Sequence, residues 1–209
     1  MTSLEELVVR GSTLHHEYVP AELPSLRTFS VDHHFPLSLI KAPLLETLYL
    51  ANFPLDPDTQ AVVTFLRGVN RLNTLSFDVV RHIDVATIID CTPELDHLIL
   101  PGDISSLDVL RSLASRSAAR SLRKINVGVT PIFASSIVST MRQLTNIVES
   151  WEKHQLPKLY FLSVYVINRG KEDITSVVGD LIRLGTSKGI EVDISSSKPS
   201  PMLVSFGDW

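Results

Sequence analysis

A three-point apolar pattern, L-x-x-L-x-L, returns seven times along the chain and constrains the fold more than any other feature. The copies are Leu4-Leu7-Val9, Leu26-Phe29-Val31, Leu45-Leu48-Leu50, Leu72-Leu75-Phe77, Leu95-Leu98-Leu100, Leu122-Ile125-Val127 and Leu159-Leu162-Val164. Their first positions lie 22, 19, 27, 23, 27 and 37 residues apart. Self-similarity at such a period is the mark of stacked repeats, so it must be weighed before any single element is assigned.

The apolar pattern alone does not decide the matter. At 44% hydrophobic content, three apolar residues at these spacings would arise roughly 17 times by chance. The flanks carry the weight instead. Proline stands two residues before the first position in four copies, as Pro24, Pro43, Pro93 and Pro157. With 12 prolines in 209 residues, about 0.4 such coincidences are expected. Threonine recurs two residues after the first position, at Thr28, Thr47 and Thr74. Shared flanks of this kind describe related units.

Each unit makes physical sense as a strand. Side chains alternate between the two faces of a strand, so Leu48 and Leu50 point to a core while Thr47, Tyr49 and Ala51 point away. A proline ahead of the strand stops a preceding helix and favours extended backbone. One such strand cannot bury its apolar face alone, so neighbouring units must stack.

The connecting segments read as helices that lengthen toward the C-terminus. Asp56 and Pro57 make a cap-plus-proline start, and Val62, Val63, Phe65, Leu66 and Val69 then form one apolar face. Asp84 is expected to cap a shorter helix carrying Val85, Ile88 and Ile89. Leu107, Leu110, Leu113 and Ala114 mark the next helix. Thr130 and Pro131 begin a long one, with Phe133, Ile137, Met141, Leu144, Val148 and Trp151 on one side. Ile174, Val177, Val178, Leu181 and Ile182 form the last helical face, with Gly185 and Gly189 as stops. Ile190, Val192 and Ile194 alternate as an eighth strand. The segments from Gly11 to Pro24 and from Asp32 to Pro43 are short and poor in helix formers, so loops or single turns are expected there.

The fold class that follows is α/β. A leucine-rich-repeat solenoid is expected, horseshoe-like, with about seven to eight irregular repeats, since the mean interval of about 26 residues falls within the range of such repeats. Parallel strands would line its concave face, with helices or loops on the convex face. Residues 1–194 form this domain, which is expected to continue upstream because no polar end cap precedes Leu4. Residues 195–209 are a Ser/Pro-rich C-terminal tail. A doubly wound parallel sheet also alternates strands with helices. It would show continuous apolar strands and a Gly-rich phosphate loop, and neither is present.

The P-x-L-x-x-L-x-L units with irregular helical spacers resemble the C-terminal repeat regions of fungal F-box proteins, especially those of mushroom-forming fungi. The resemblance covers residues 1 to about 194. It implies that the repeats recognise a substrate protein, while an upstream F-box recruits a cullin-type ubiquitin ligase through an adaptor. Here the first repeat strand begins at Leu4, which leaves no room for that three-helix module before it. The ligase adaptor is therefore a partner only if an F-box lies upstream. A scaffold repeat protein unconnected with ubiquitin is the alternative, and an enzyme on a doubly wound α/β sheet is the third reading.

Function is expected on the outward strand positions. They carry Tyr49, Asp78, His97, Lys124, Asn126, Phe161 and Tyr165, and the aromatic members match the residue types enriched at interface hot spots. A protein partner follows from this reading, and no catalytic residue, cofactor or metal is assigned. The net charge of −4 gives no footprint for nucleic acid, and no apolar run reaches the length of a bilayer span. Cys91 is the single cysteine. A disulfide framework is thus ruled out within the chain, which fits a reducing intracellular setting, cytoplasmic or nuclear. Cys91 itself reads as a buried core thiol. The paired His15-His16 and His33-His34 fall in loops, and His82, His97 and His154 have no partner pattern, so ordinary histidines outweigh metal ligands. No nucleophile-elbow, zinc-protease or kinase signature occurs.

Overall fold

The computed structural model describes residues 3–9, 19–32, 35–51, 59–78, 84–101, 104–115, 121–129, 136–151, 159–166 and 173–196. Ten strands and five α-helices lie in these segments. The strands are β1 (Glu6–Val9), β2 (Ala21–Glu22), β3 (Thr28–Asp32), β4 (Ile40–Lys41), β5 (Thr47–Ala51), β6 (Thr74–Phe77), β7 (His97–Leu100), β8 (Lys124–Val129), β9 (Phe161–Val166) and β10 (Glu191–Ser195). The helices are α1 (Thr59–Leu66), α2 (Val85–Asp90), α3 (Ile104–Ser115), α4 (Ile137–Trp151) and α5 (Thr175–Lys188), with one 3-10 turn at Leu37–Leu39.

Eight strands form one sheet in the order β1-β3-β5-β6-β7-β8-β9-β10, every neighbouring pair parallel. Spatial order therefore follows chain order without a reversal. This decides the architecture. Crossovers between parallel strands are right-handed, so connections that always step the same way all fall on one face of the sheet. A doubly wound sheet covers both faces because its order reverses at a switch point. In this chain the helices lie side by side in sequence, α1 against α2, α2 against α3, and so on to α5. Among the described residues, the other face of the sheet is left without a helical layer.

The register stacks like positions on like. Phe29, Leu48, Leu75, Leu98, Ile125 and Leu162 form one inward row, at most 1% exposed. Val31, Leu50, Phe77, Leu100, Val127 and Val164 form a second. The first positions, Leu26 through Leu159, form a third row at most 2% exposed, except that Leu4 at the open end is 47% exposed. Leu7 and Val9 of β1 are likewise only partly buried. Inward side chains thus lose water contact only where a strand flanks them on both sides.

A repeated backbone device joins the units. In six of the seven copies the carbonyl one residue after the first position accepts two consecutive N–H groups from the next unit. Glu5 O takes Arg27 N and Thr28 N at 2.8 and 3.0 Å, and Arg27 O takes Glu46 N and Thr47 N at 2.8 and 2.9 Å. Glu46, Asn73, Asp96 and Arg123 repeat the pattern. These bonds extend the ladder past the strand ends and satisfy backbone that would otherwise be buried unpaired.

The prolines do something more specific than end a helix. Leu26 N donates to Leu23 O, Leu45 N to Ala42 O and Leu95 N to Thr92 O, each at 3.1 Å. Pro24, Pro43 and Pro93 are therefore second residues of β-turns, where a fixed φ is preorganised. Pro157 lies outside the described residues.

Several local expectations hold and others need correction. Asp84 caps α2, accepting from Thr87 N at 3.1 Å and from Thr87 Oγ1 at 2.7 Å. The apolar faces of α1 and α3 are buried as read, at Val62, Val63, Phe65, Leu66, Leu107, Leu110 and Leu113. Gly189 ends α5 in the left-handed region, φ 66°. Gly185 is not a stop: it is buried inside α5, where an added Cβ would sit 2.3 Å from Val192 Cγ2. Ile182, read among the apolar residues of the last helix, is 42% exposed. Between the first strands the chain forms the 3-10 turn, a single helical turn as expected there, and also a small parallel pair, β2 with β4, that sequence reasoning did not anticipate. Cys91 is partly buried rather than fully so, and its N–H caps α2 through Ile88 O and Ile89 O. The proposed starts at Asp56-Pro57 and Thr130-Pro131, together with Phe133, fall outside the described residues, as does the tail beyond Ser196.

Candidate functional site

The open face of the sheet is built from two registered rows and part of a third. The first row runs Glu6, Thr28, Thr47, Thr74, His97, Lys124, Phe161, Glu191. The second runs Val8, Ser30, Tyr49, Ser76, Ile99, Asn126, Ser163, Asp193. Adjacent strands lie about 4.8 Å apart, so neighbours in a row are within reach of one another. The middle of the face is rich in hydroxyls, from Thr28, Ser30, Thr47, Tyr49, Thr74 and Ser76. Tyr49 is half-buried among them. Burial first, and then the Glu6 carboxylate, push its hydroxyl above the usual tyrosine range.

Toward β8 the face becomes polar and charged. His97 is half-buried, and its Nε2 lies 3.1 Å from Asn126 Oδ1. Desolvation lowers its pKa, opposed by the Asn126 hydrogen bond, while Lys124 lowers it further and Asp96 raises it. The neutral ring donates Nε2–H to Asn126. Lys124 pairs with Asp96 at 3.6 Å, which draws its ammonium toward β7. Arg27 pairs with Glu46 across β3 and β5. Ser163 Oγ donates to Asp193 Oδ2 at 3.3 Å.

The aromatic residues divide. Phe161 is half-exposed between Lys124 and Glu191, as a contact residue would be. Tyr165 shares its face in register with Gly128 and Ser195, but it is only 5% exposed. It was expected as an exposed contact; it is a packed side chain instead. Burial on the outward row also takes in Ser76 at 8% and Ser163 at 4%. Sequence reasoning missed Tyr160. It is 51% exposed, and the Arg123 guanidinium lies 5.8 Å from its ring centroid. The signal was present, since Tyr160 directly follows a first position, where other units carry Glu5, Arg27, Glu46, Asp96 and Arg123. Asp78 follows β6, half-buried, with its N–H bonded to Leu50 O at 3.0 Å.

A groove of about 470 Å³ lies on the helical side, between the 3-10 turn, β4 and α1. Leu37, Ile40, Phe65 and Val69 line it, and the Glu22–Lys41 pair borders it at 2.8 Å with both side chains 74% exposed. Among the described residues, no group of three or more His, Cys, Asp or Glu side chains is placed to hold a metal. His15, His16, His33, His34, His82 and His154 lie outside those residues. No helix among the described residues is long and apolar enough to cross a membrane.

Fold and face together define an α/β array of like units whose eight-stranded parallel sheet carries helices on one face among the described residues. No protein-family model and no curated protein matches the chain.

Proposed function

We propose that this chain is a leucine-rich-repeat domain that recognises another protein across the open face of its sheet, without catalysing a reaction. The observation that carries the reading is a continuous eight-stranded parallel sheet in chain order whose helices, among the described residues, lie on one side. Such a face offers a broad, rigid surface whose side chains are positioned by the ladder beneath them. Tyr49 and Phe161 supply aromatic anchors, while His97, Lys124 and Asn126 supply the polar contacts between them. The groove beside α1 is bordered by apolar core and one exposed ion pair, a poor arrangement for acid–base chemistry.

The specific form proposed is the substrate-recognition half of an F-box ubiquitin-ligase receptor, on the strength of the resemblance of its P-x-L-x-x-L-x-L units to fungal F-box proteins. An F-box encoded upstream in the same gene supports that form. A full-length gene product without one removes the ligase link and leaves a recognition domain or scaffold. The face itself is tested by affinity capture with the chain and with a Tyr49→Ala/Phe161→Ala variant shown by circular dichroism to stay folded at the assay temperature. A partner held by the first and lost by the second supports the reading. Retention of the same partner by both places binding elsewhere.

A further inference from the structure

We propose that the segment recognised by the open sheet face is basic, a polypeptide stretch presenting lysine or arginine toward β10 and β1. The inference rests on the reading above and adds the chemistry of the partner. Three observations carry it. First, Lys124, the cation of the outward rows among the described residues, is engaged by Asp96. Beside the strand starts, Arg27 is paired with Glu46 and Arg123 lies over the Tyr160 ring. Second, Glu6, Glu191 and Asp193 are exposed on the outward rows of the two edge strands, with no cation beside them in register. Third, acids on the helical side have cations beside them, with Asp108 bonded to Arg111, Asp180 to Arg183 and Glu22 to Lys41. Along the two outward rows the charged side chains among the described residues are Glu6, Glu191 and Asp193 against Lys124, an excess of two negative charges. A surface with an excess of one sign steers partners of the other.

The register adds geometry. Phe161 pairs in register with Glu191, and Ser163 with Asp193. Asp96 holds the Lys124 ammonium toward β7, on the far side of Phe161. A guanidinium laid on the Phe161 ring would find carboxylates on its β10 side, an arrangement that combines stacking with charge-assisted hydrogen bonds. A second copy of this chain is a poor occupant: its own acidic edges would face these carboxylates.

The test uses three probes, octa-arginine, octa-lysine and octa-glutamate peptides, titrated against the full chain at low and moderate salt. Two charge-matched variants accompany it. Glu191→Gln/Asp193→Asn removes two negative charges from the face, and Asp108→Asn/Asp180→Asn removes two from the helices. The expected result is binding of the basic peptides, weakened by salt. The face variant should weaken it roughly five- to tenfold, and the helix variant should leave it within about twofold. Equal losses in both variants would show bulk attraction and overturn the proposal. So would tighter binding of octa-glutamate or no binding of a basic peptide. A partner lost with Tyr49→Ala/Phe161→Ala, yet indifferent to salt and to the face charges, would sink this inference and leave the protein-recognition reading standing.

Discussion

Replacing Leu95 and Leu4 by alanine, one at a time, isolates what a preceding repeat contributes to an otherwise identical position. Both residues open an L-x-x-L-x-L copy, but Leu95 is 1% exposed and Leu4 is 47% exposed. At Leu95 the core surrounds the side chain, so truncation loses transfer free energy and leaves a cavity, a cost of about 3 kcal/mol. At Leu4 about half of the side chain already meets water and no closed cavity forms, so the cost falls to about 1 kcal/mol. The expected gap is about 2 kcal/mol. Urea unfolding followed by far-ultraviolet circular dichroism measures it as a shift of midpoint at constant m value. Equal losses, or a larger loss at Leu4, would refute the argument that stacking in chain order is what buries the first positions.

Three further outcomes follow from particular contacts. Tyr165→Ala should destabilise the fold by about 3 kcal/mol because the ring is buried, whereas Phe161→Ala should cost under about 1.5 kcal/mol; denaturant midpoints of the two variants give the comparison. Gly185→Ala should lower the melting temperature, since its Cβ would meet Val192 Cγ2 at 2.3 Å and Ile190 O at 3.1 Å, while Gly179→Ala, with nothing within 4 Å, should raise it by the helix-propensity gain. His97 has a folded-state pKa below its ordinary value of 6.5, so the unfolded chain takes up the proton first. Its contribution is complete above that value and is lost as pH falls through it toward the folded pKa. Midpoints measured between neutral and mildly acid pH should fall less steeply in His97→Gln.

The repeat was legible because its signal is redundant. Seven apolar triplets, the turn prolines and the threonines all report the same strand, and the strand register reproduces their alignment residue by residue. The single-sided architecture was legible through alternation, since Thr47 and Tyr49 between Leu48 and Leu50 require one face to stay out of the core. What the residues conceal is context. Tyr165 and Phe161 occupy outward positions of the same strand, yet Tyr165 stands beside Gly128 in register and is buried. Outwardness is a property of the strand, and exposure is a property of the neighbours. Gly185 is a case of the same kind. A glycine near a helix end reads as a stop, but this one is where the helix closes on Val192, and that close approach comes from tertiary packing. The β2–β4 pair escaped notice because two residues are too few to show a period. Tyr160 escaped because attention to strict alternation passed over the residue beside each first position.

The account depends on strands lying side by side in the order in which they are made. Thr28, Lys124 and Glu191 occupy one registered row, with Lys124 four strand steps and Glu191 six steps from Thr28. In a Cys91→Ser background, spin labels at Thr28 and Lys124 should report a backbone separation of about 19 Å, and labels at Thr28 and Glu191 about 29 Å, shortened somewhat by sheet curvature. Separation that grows with repeat number is the predicted result. A Glu191 label closer to Thr28 than the Lys124 label would mean that the strand order reverses, and the uncovered face would not exist.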